Sequence, residues 1–473
     1  MFRSRATQVL AGLVGVGVAL RLLAEIAWWP VGLALNDSAP YTAAAATSPL
    51  SDVQHPAGYP AFLAAVGWFT RQVAVVVILQ HLLGILAGII FFAAVRRVTA
   101  SSWWALLPAG AVLLGGDQIF LEHNLMAEGP TVTLLAATFY AGVRLLEHPA
   151  SRRWALAAGL LVGLDGLVRS AALCLVAVVP LAILVGAGAK RNRLTAAGLT
   201  LATSLVVLVA YAFANLAANN EFEFGPKPGW HLYGMVAHYA NCSDFTAPRG
   251  TRVLCQNSPP SQRPGVNFYL YDAASPAQRA FGYFKDDAKV GAFAEQVVLH
   301  EPGQYLRNVA SNLLAYFIPS TYPSDYGGCA GPGHGCPLSN ELDWARDDPT
   351  ETQLAGVLKT FYKPFHSVKR RWARQLLQGW QRVFRFGATL LAVTTLITVL
   401  GFLIPGKRAY LVLFGGGGLS LLLAPSLIGF YVARYSVPIA APMLASAAIA
   451  GETLWTRLRS GAKRYRGMRA RGR

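Results

Sequence analysis

The sequence predicts an all-α polytopic membrane protein of about ten transmembrane helices, carrying an extracytoplasmic insert of mixed or helical structure held by disulfides. Three observations lead there. Of 473 residues, 54% are hydrophobic and only 14% charged, and mean hydropathy is +0.40, beyond what a soluble domain needs. Apolar runs long enough to span, or nearly so, recur at about 7–27, 73–95, 103–120, 125–146, 155–168, 171–188, 195–217, 383–404, 409–428 and 436–455. Basic clusters alternate with uncharged or acidic loops between these runs.

The first run, from Thr7 to about Ile26, is long for a signal peptide and no small-residue cleavage site follows it, so it reads as a transmembrane helix. The clusters Arg3/Arg5, Arg96-Arg97, Arg144 with Arg152-Arg153, Lys190 to Arg193 and Lys407-Arg408 mark cytoplasmic loops, and residues 456–473 form a basic cytoplasmic tail. Both termini are then inside. The loops at Asp37, Asp117–Glu128, Arg169 and Arg434 and the insert 218–382 are outside. The formal charge of +18 is read as orientation and lipid contact. No recognition motif accompanies it, so nucleic-acid binding is excluded.

The chain divides into an N-terminal transmembrane module, 1–217, with a first outer loop at 28–72, an extracytoplasmic domain at 218–382, and C-terminal helices at 383–455. Within the insert, 276–318 places Phe281, Phe284, Phe293, Val297, Leu306, Val309, Leu313 and Phe317 near helical spacing, which suggests an amphipathic helix pair. Four of the five cysteines, Cys242, Cys255, Cys329 and Cys336, share this insert and suggest two disulfides, with Cys242–Cys255 and Cys329–Cys336 the simplest of three pairings. Cys174 lies in an apolar run and reads as inert packing. One segment conflicts with the orientation rule. Lys359 to Arg385 is strongly basic yet is placed outside, either as a surface for a lipid phosphate or as an interfacial helix with a solvated face.

The first outer loop carries the densest chemistry. Asp37 follows the first apolar run, and Asp52 precedes the rigid turn His55-Pro56-Ala57-Gly58-Tyr59-Pro60. Acids and a histidine this close to a bilayer are functional candidates. Asp117, Glu122, His123, Glu128, Arg169 and Arg434 also fall at outer ends of spans. Asp165, four residues before Arg169, is expected to form an internal ion pair with it. Nucleotide sugars and ATP are expected to be absent outside, so group transfer there needs a donor held in the membrane. A polyprenyl-phosphate donor meets that need, and arginine suits its phosphate.

Here the sequence resembles the GT-C superfamily of integral-membrane glycosyltransferases, particularly the group of protein O-mannosyltransferases and aminoarabinose lipid A transferases. The resemblance rests on Asn36 to Tyr41, on His55 to Leu63, on Met126-Ala127-Glu128, on Leu167-Val168-Arg169 and on Ala433 to Pro438. The stretch Gly229 to Gly234 is similar to actinobacterial members. Ala57 stands where a second proline is common, and Ser170 follows Arg169 in place of proline. The resemblance implies a multi-pass enzyme of the bacterial plasma membrane with its site on the outer face. It implies inverting transfer of a sugar from a polyprenyl-phosphate donor to a hydroxyl of a cell-envelope glycan, lipid or protein.

Asp37 is the expected catalytic base, since a carboxylate can take the proton of an acceptor hydroxyl. Glu128 and Asp52 are expected as acceptor-orienting or auxiliary acids, Asp52 being alternatively a turn residue. Arg169, Arg434, His55, Tyr59 and Tyr435 are expected around the donor phosphate, with Glu122 and His123 as weaker candidates. A divalent cation bound by acids and His55 is compatible, though no ligand spacing demands one. The alternatives are a ligase or polymerase acting on lipid-linked glycans, and a transporter or flippase. A transporter should show internal repeats and polar midplane residues, and the sequence displays no repeat.

Overall fold

The computed structural model describes residues 5–225, 227–318, 342–345, 351–403 and 405–471. Among them, six helical segments are long and apolar enough to cross a membrane: Arg5–Ala27, Val73–Val98, Lys190–Asn219, Arg371–Phe402, Arg408–Ile428 and Ala433–Arg459. The chain is an all-α polytopic membrane protein. Four of the expected runs are realised differently. The run at 103–120 breaks at the extended Gly115 into Leu106–Leu114 and Gly116–His123, while Glu128–Glu147 carries more charge than a plain span. Arg152–Val168 and Leu175–Val185 are short, and a 3-10 turn at Ser170–Cys174 joins them.

We label the elements that position the site. They are α1 (Arg5–Ala27), α2 (Ser38–Ala46), α3 (Gly58–Phe69), α4 (Val73–Val98), α5 (Gly116–His123), α6 (Glu128–Glu147), α7 (Arg152–Val168) and α8 (Lys190–Asn219). In the insert are α9 (Pro228–Val236), α10 (Val266–Tyr271), α11 (Asp287–His300) and α12 (Pro302–Ala315), followed by α13 (Arg371–Val383) and α14 (Gly417–Ile428). One apolar core packs α4, α6, α7 and the C-terminal helices through Phe91, Phe139, Val162 and Phe414. A second joins α1, α3, α4, α5 and α13 through Trp28, Tyr59, Phe120 and Leu377. Burying a large side chain in such a core contributes roughly 1.5–3 kcal/mol where the alternative is water.

The insert builds a third core from Trp230, Tyr233, Phe284, Phe293 and Val297. Asp287 caps α9 from a distance, since its carboxylate accepts from the backbone N–H groups of Gly229 (3.1 Å) and Trp230 (2.8 Å). Phe293 and Val297 thus face this core, whereas Leu306 and Leu314 of α12 are exposed. The helix pair therefore has one member inside the insert and one against the bundle. Cys242 and Cys255 form a disulfide. Cys329 and Cys336 lie outside the described residues.

The basic segment 359–385 leads into the Arg371–Phe402 helix, and Lys359, Lys363, Arg370, Arg371 and Arg382 are exposed along it, whereas Lys369, Arg374 and Arg385 are turned inward. Val368–Lys369 pairs antiparallel with Trp28–Trp29, with Trp28 opposite Lys369. The backbone N–H of Arg370 donates to the Ala27 carbonyl at 2.9 Å. Arg374 is buried and donates to the Trp344 carbonyl at 2.6 Å, while Arg385 pairs with Asp117 at 2.9 Å. The segment straps the C-terminal end of α1 to α5, with Lys369, Arg374 and Arg385 turned into the contact.

Candidate functional site

Four stretches of the chain, the loop bearing Asp37 and His55 and the segments of Glu128, Arg169 and Arg434, converge at one end of the bundle. Asp37 stands at the N-cap position of α2, yet its side chain caps nothing there. Its Oδ2 instead accepts from Arg434 and lies 3.4 Å from His55 Nε2. Arg169 pairs with Glu128, and Arg434 Nε lies 3.5 Å from the same Glu128 oxygen. Asp37, His55, Glu128, Arg169 and Arg434 therefore form one alternating chain of acids and cations. The Asp37 side chain is 23% exposed and that of Glu128 only 1%. Asp37 is thus the more accessible of the two acids.

Each partner is placed by local chemistry. Asp52 accepts from the backbone N–H groups of Gln54 (2.8 Å) and His55 (3.1 Å), closing an Asx-type turn, and its other oxygen accepts from His55 Nδ1 at 2.9 Å. Its side chain is 1% exposed, so Asp52 orients His55 and does not face solvent. Tyr41 of α2 packs its ring 4.5 Å from the His55 ring. Gly58 starts α3 against the end of α7, where a Cβ would stand 2.5 Å from the Leu167 carbonyl oxygen. Only a residue without a Cβ allows this approach, which sets the His55 turn beside Arg169.

Arg434 sits on a 3-10 turn, Ala433–Ser436, that the insert braces. Tyr305 donates to the Leu427 carbonyl at 2.9 Å, and Asn312 to the Gly429 carbonyl at 3.3 Å. Tyr435 presents its ring to both arginines, 4.5 Å from the Arg169 guanidinium carbon and 6.0 Å from that of Arg434. It is a cation–π platform for the pair.

The charges fix protonation. Burial alone would raise the Asp37 carboxyl, but Arg434, His55 and Arg169 outweigh it and hold the group well below the usual carboxylate range. Burial opposes a charged His55, yet Asp37 and Asp52 lift it to about 9. Near neutral pH the site presents an anionic Asp37 between an imidazolium and a guanidinium.

Other expected residues lie elsewhere. Tyr59 is buried and donates to Gln80 Oε1 at 2.7 Å, which commits its hydroxyl to the core beneath the loop. Glu122 and His123 are fully buried among Arg21, His81 and Trp28. Asp165 does not pair with Arg169. The helix ends at Val168 and Arg169 is extended (φ −148°, ψ 119°), so the four-residue helical facing is lost and the guanidinium turns to Glu128. Both Asp165 oxygens are left without a hydrogen-bond partner among the described residues.

Sequence reasoning missed Tyr41 and the insert's contribution. Gln54 hydrogen-bonds Tyr283 of the insert. Burial and the nearby Asp37 charge push the Tyr271 phenol up, and burial with the His55 charge depresses His231 to about 4. The insert therefore leans over the loop that bears Asp37. No single-residue signal marked these aromatic side chains, which lie among many others in the insert.

A crystal structure of ArnT from Cupriavidus metallidurans in the apo state is similar to this chain, with a TM-score of 0.34 and 14% identity, over 95% of this chain and 78% of that one. No family model and no curated protein matches the sequence.

Proposed function

We propose that this protein is a membrane glycosyltransferase that moves a sugar from a polyprenyl-phosphate donor to a hydroxyl of a cell-envelope acceptor, with Asp37 as base. The observation that carries the reading is the placement of a partly buried, anionic Asp37 beside the His55 imidazolium of its own loop and two arginines drawn from distant segments. The sequence resemblance to GT-C enzymes, carried by the same residues, supports it.

In this reading Asp37 Oδ takes the acceptor proton as the hydroxyl oxygen attacks the anomeric carbon with inversion. The bond from that carbon to the phosphate oxygen breaks, and its electron pair leaves with the lipid phosphate. Arg169 and Arg434 bind that phosphate through two-pronged hydrogen bonds, and His55 adds a third positive group. A phosphate ester needs no strong general acid to depart. Glu128 holds the arginines in register from behind.

The donor also switches the base. Without it, Arg434 donates to Asp37 and lowers its basicity. A phosphate competing for that guanidinium leaves Asp37 more basic, so the proton acceptor becomes effective once donor is bound. A divalent cation remains compatible with this account, though the positive charges between Asp37 and Glu128 are guanidinium groups.

The test uses membranes containing wild type or Asp37→Asn, supplied with labelled polyprenyl-phosphate sugars and a crude envelope acceptor fraction. Label should pass from lipid to a polar product with wild type and not with the variant. Transfer that survives in a correctly folded Asp37→Asn would remove Asp37 as base. Absence of transfer with every donor, together with lipid flux through the protein, would favour the flippase reading.

A further inference from the structure

Beneath the Asp37 loop lies a second polar cluster that the transfer chemistry does not use. Glu25 near the end of α1, His81 of α4 and His123 at the end of α5 bring one ligand atom each to within 4.8 Å of one another. His81 and His123 are buried, and their rings stack with centroids 5.5 Å apart. Their hydrogen bonds fix which nitrogens carry protons. His81 Nδ1 lies 3.0 Å from Glu122 Oε2, and Glu122 already accepts from Arg21 at 2.8 and 2.9 Å and from Gln118 at 2.9 Å. A carboxylate so loaded with donors is an anion, so His81 Nδ1 is the donor. His123 Nε2 lies 2.6 Å from the Trp28 carbonyl oxygen, which can only accept.

Both outward nitrogens are therefore N–H groups, and in neutral rings both inward nitrogens carry bare lone pairs. Those two, His81 Nε2 and His123 Nδ1, face one another at 3.2 Å. Glu25 adds a carboxylate with Oε1 3.9 Å from His81 Nε2, and neither of its oxygens has a hydrogen-bond partner among the described residues. Two lone pairs and an orphan carboxylate converging in a buried space repel unless something positive sits among them.

We propose that this cluster is a binding site for a divalent transition ion of the zinc class, held by His81 Nε2, His123 Nδ1 and a Glu25 oxygen. Two histidines and a glutamate form a common zinc ligand set. Two nitrogens each about 2.0–2.1 Å from one tetrahedral ion stand roughly 3.4 Å apart, close to the spacing seen. Glu122 and the Trp28 carbonyl are the outer partners that such histidines require to fix tautomer and raise basicity. Space for Glu122 is made by Gly84, where a Cβ would fall 1.8 Å from its Oε1.

The ion would act as a structural clasp beneath the loop, independent of the transfer reading. It joins α1, α4 and α5 where the chain turns into both sides of the site. Gly32 donates to the His123 carbonyl at 2.8 Å, Ala34 to Asn124 Oδ1 at 3.2 Å, and Ser38 Oγ to the Leu125 carbonyl at 3.1 Å. Fixing His123 thus fixes the strand of chain that leads to Asp37 and the one that leads to Glu128.

The experiment is elemental analysis of the full chain, purified in detergent through a tag that binds no metal and without chelator. The expected result is about one zinc per chain, with a zinc K-edge absorption spectrum showing imidazole nitrogens and an oxygen. Glu25→Gln and His81→Ala should each lower that content severalfold. Should either variant fail to fold, wild type stripped of metal and given cobalt(II) should display the visible absorption of a four-coordinate ion. Folded wild type that neither contains nor takes up a transition ion would overturn the proposal and leave a shared proton between the rings. Metal retained at wild-type level in both folded variants, or a sulfur-containing ligand shell, would overturn it too.

Discussion

The pairing of His55 with Asp37 predicts a titration that Asp37→Asn must move. His55 Nε2 and Asp37 Oδ2 are 3.4 Å apart, which at an effective dielectric of about 20 to 40 corresponds to about 2.5 to 5 kcal/mol of attraction between unit charges. That is roughly two to three and a half pKa units, the size of shift needed to lift the ring from 6.5 to about 9 against its burial. Asn at position 37 removes the charge and leaves Asp52 in place. The midpoint of His55 should then fall by about two units. The assay is the pH dependence of carbethoxylation at His55, followed by mass spectrometry, because only the neutral imidazole reacts. A wild-type midpoint near the ordinary histidine value, unmoved by Asp37→Asn, would refute the ion pair and with it the geometry of the site. Stability follows with a definite sign. His55 is raised in the folded state, so its contribution of about 3 kcal/mol is complete below its unfolded pKa and is lost as pH rises through the folded one.

Other consequences can be checked separately. Arg169→Lys and Arg434→Lys keep the charge but lose two-pronged pairing, so each should lower transfer about 10- to 100-fold, mainly through the KM for the lipid donor. Gly58→Ala places a methyl 2.5 Å from the Leu167 carbonyl oxygen. It should cost about 1–3 kcal/mol in thermal stability and reduce transfer by displacing Arg169. Glu122→Gln leaves the buried Arg21 guanidinium without its anion, and should destabilise the detergent-solubilised protein by about 3–5 kcal/mol, read as early thermal aggregation.

The elements of the site were legible because a membrane punishes stray charge. Asp37, Glu128, Arg169 and Arg434 each stand at the edge of an apolar run, and that position alone marks them. Their pairing was not legible. Asp165 was the local partner for Arg169, but the helix stops one residue short of the arginine and a distant Glu128 takes its place. Tyr59 shares the conspicuous turn with His55, yet as the second residue of α3 it points into the core, towards Gln80. Asp52 is two-sided in the same way, being both the turn's acceptor and the partner that aims His55. Helix lengths were blurred for a similar reason. Gly115 and the turn at Ser170–Cys174 interrupt stretches that hydropathy alone reads as continuous. Glu25 and His81 lie within separate apolar runs, so nothing in the one-dimensional pattern brings them to His123. Their meeting depends on how α1, α4 and α5 cross.

The central claim divides the site into a base and a phosphate clamp, and one measurement addresses that division directly. Binding of a labelled polyprenyl-phosphate sugar and single-turnover transfer would be measured together for wild type, Asp37→Asn and Arg434→Ala in lipid nanodiscs. Asp37→Asn should bind donor at least as well as wild type, because Arg434 is released to the phosphate, while transfer should fall by about two to four orders of magnitude. Arg434→Ala should lose donor binding first. Loss of binding in Asp37→Asn with an unchanged rate from bound donor would contradict the account, for it would make Asp37 part of the donor's binding site and not the base.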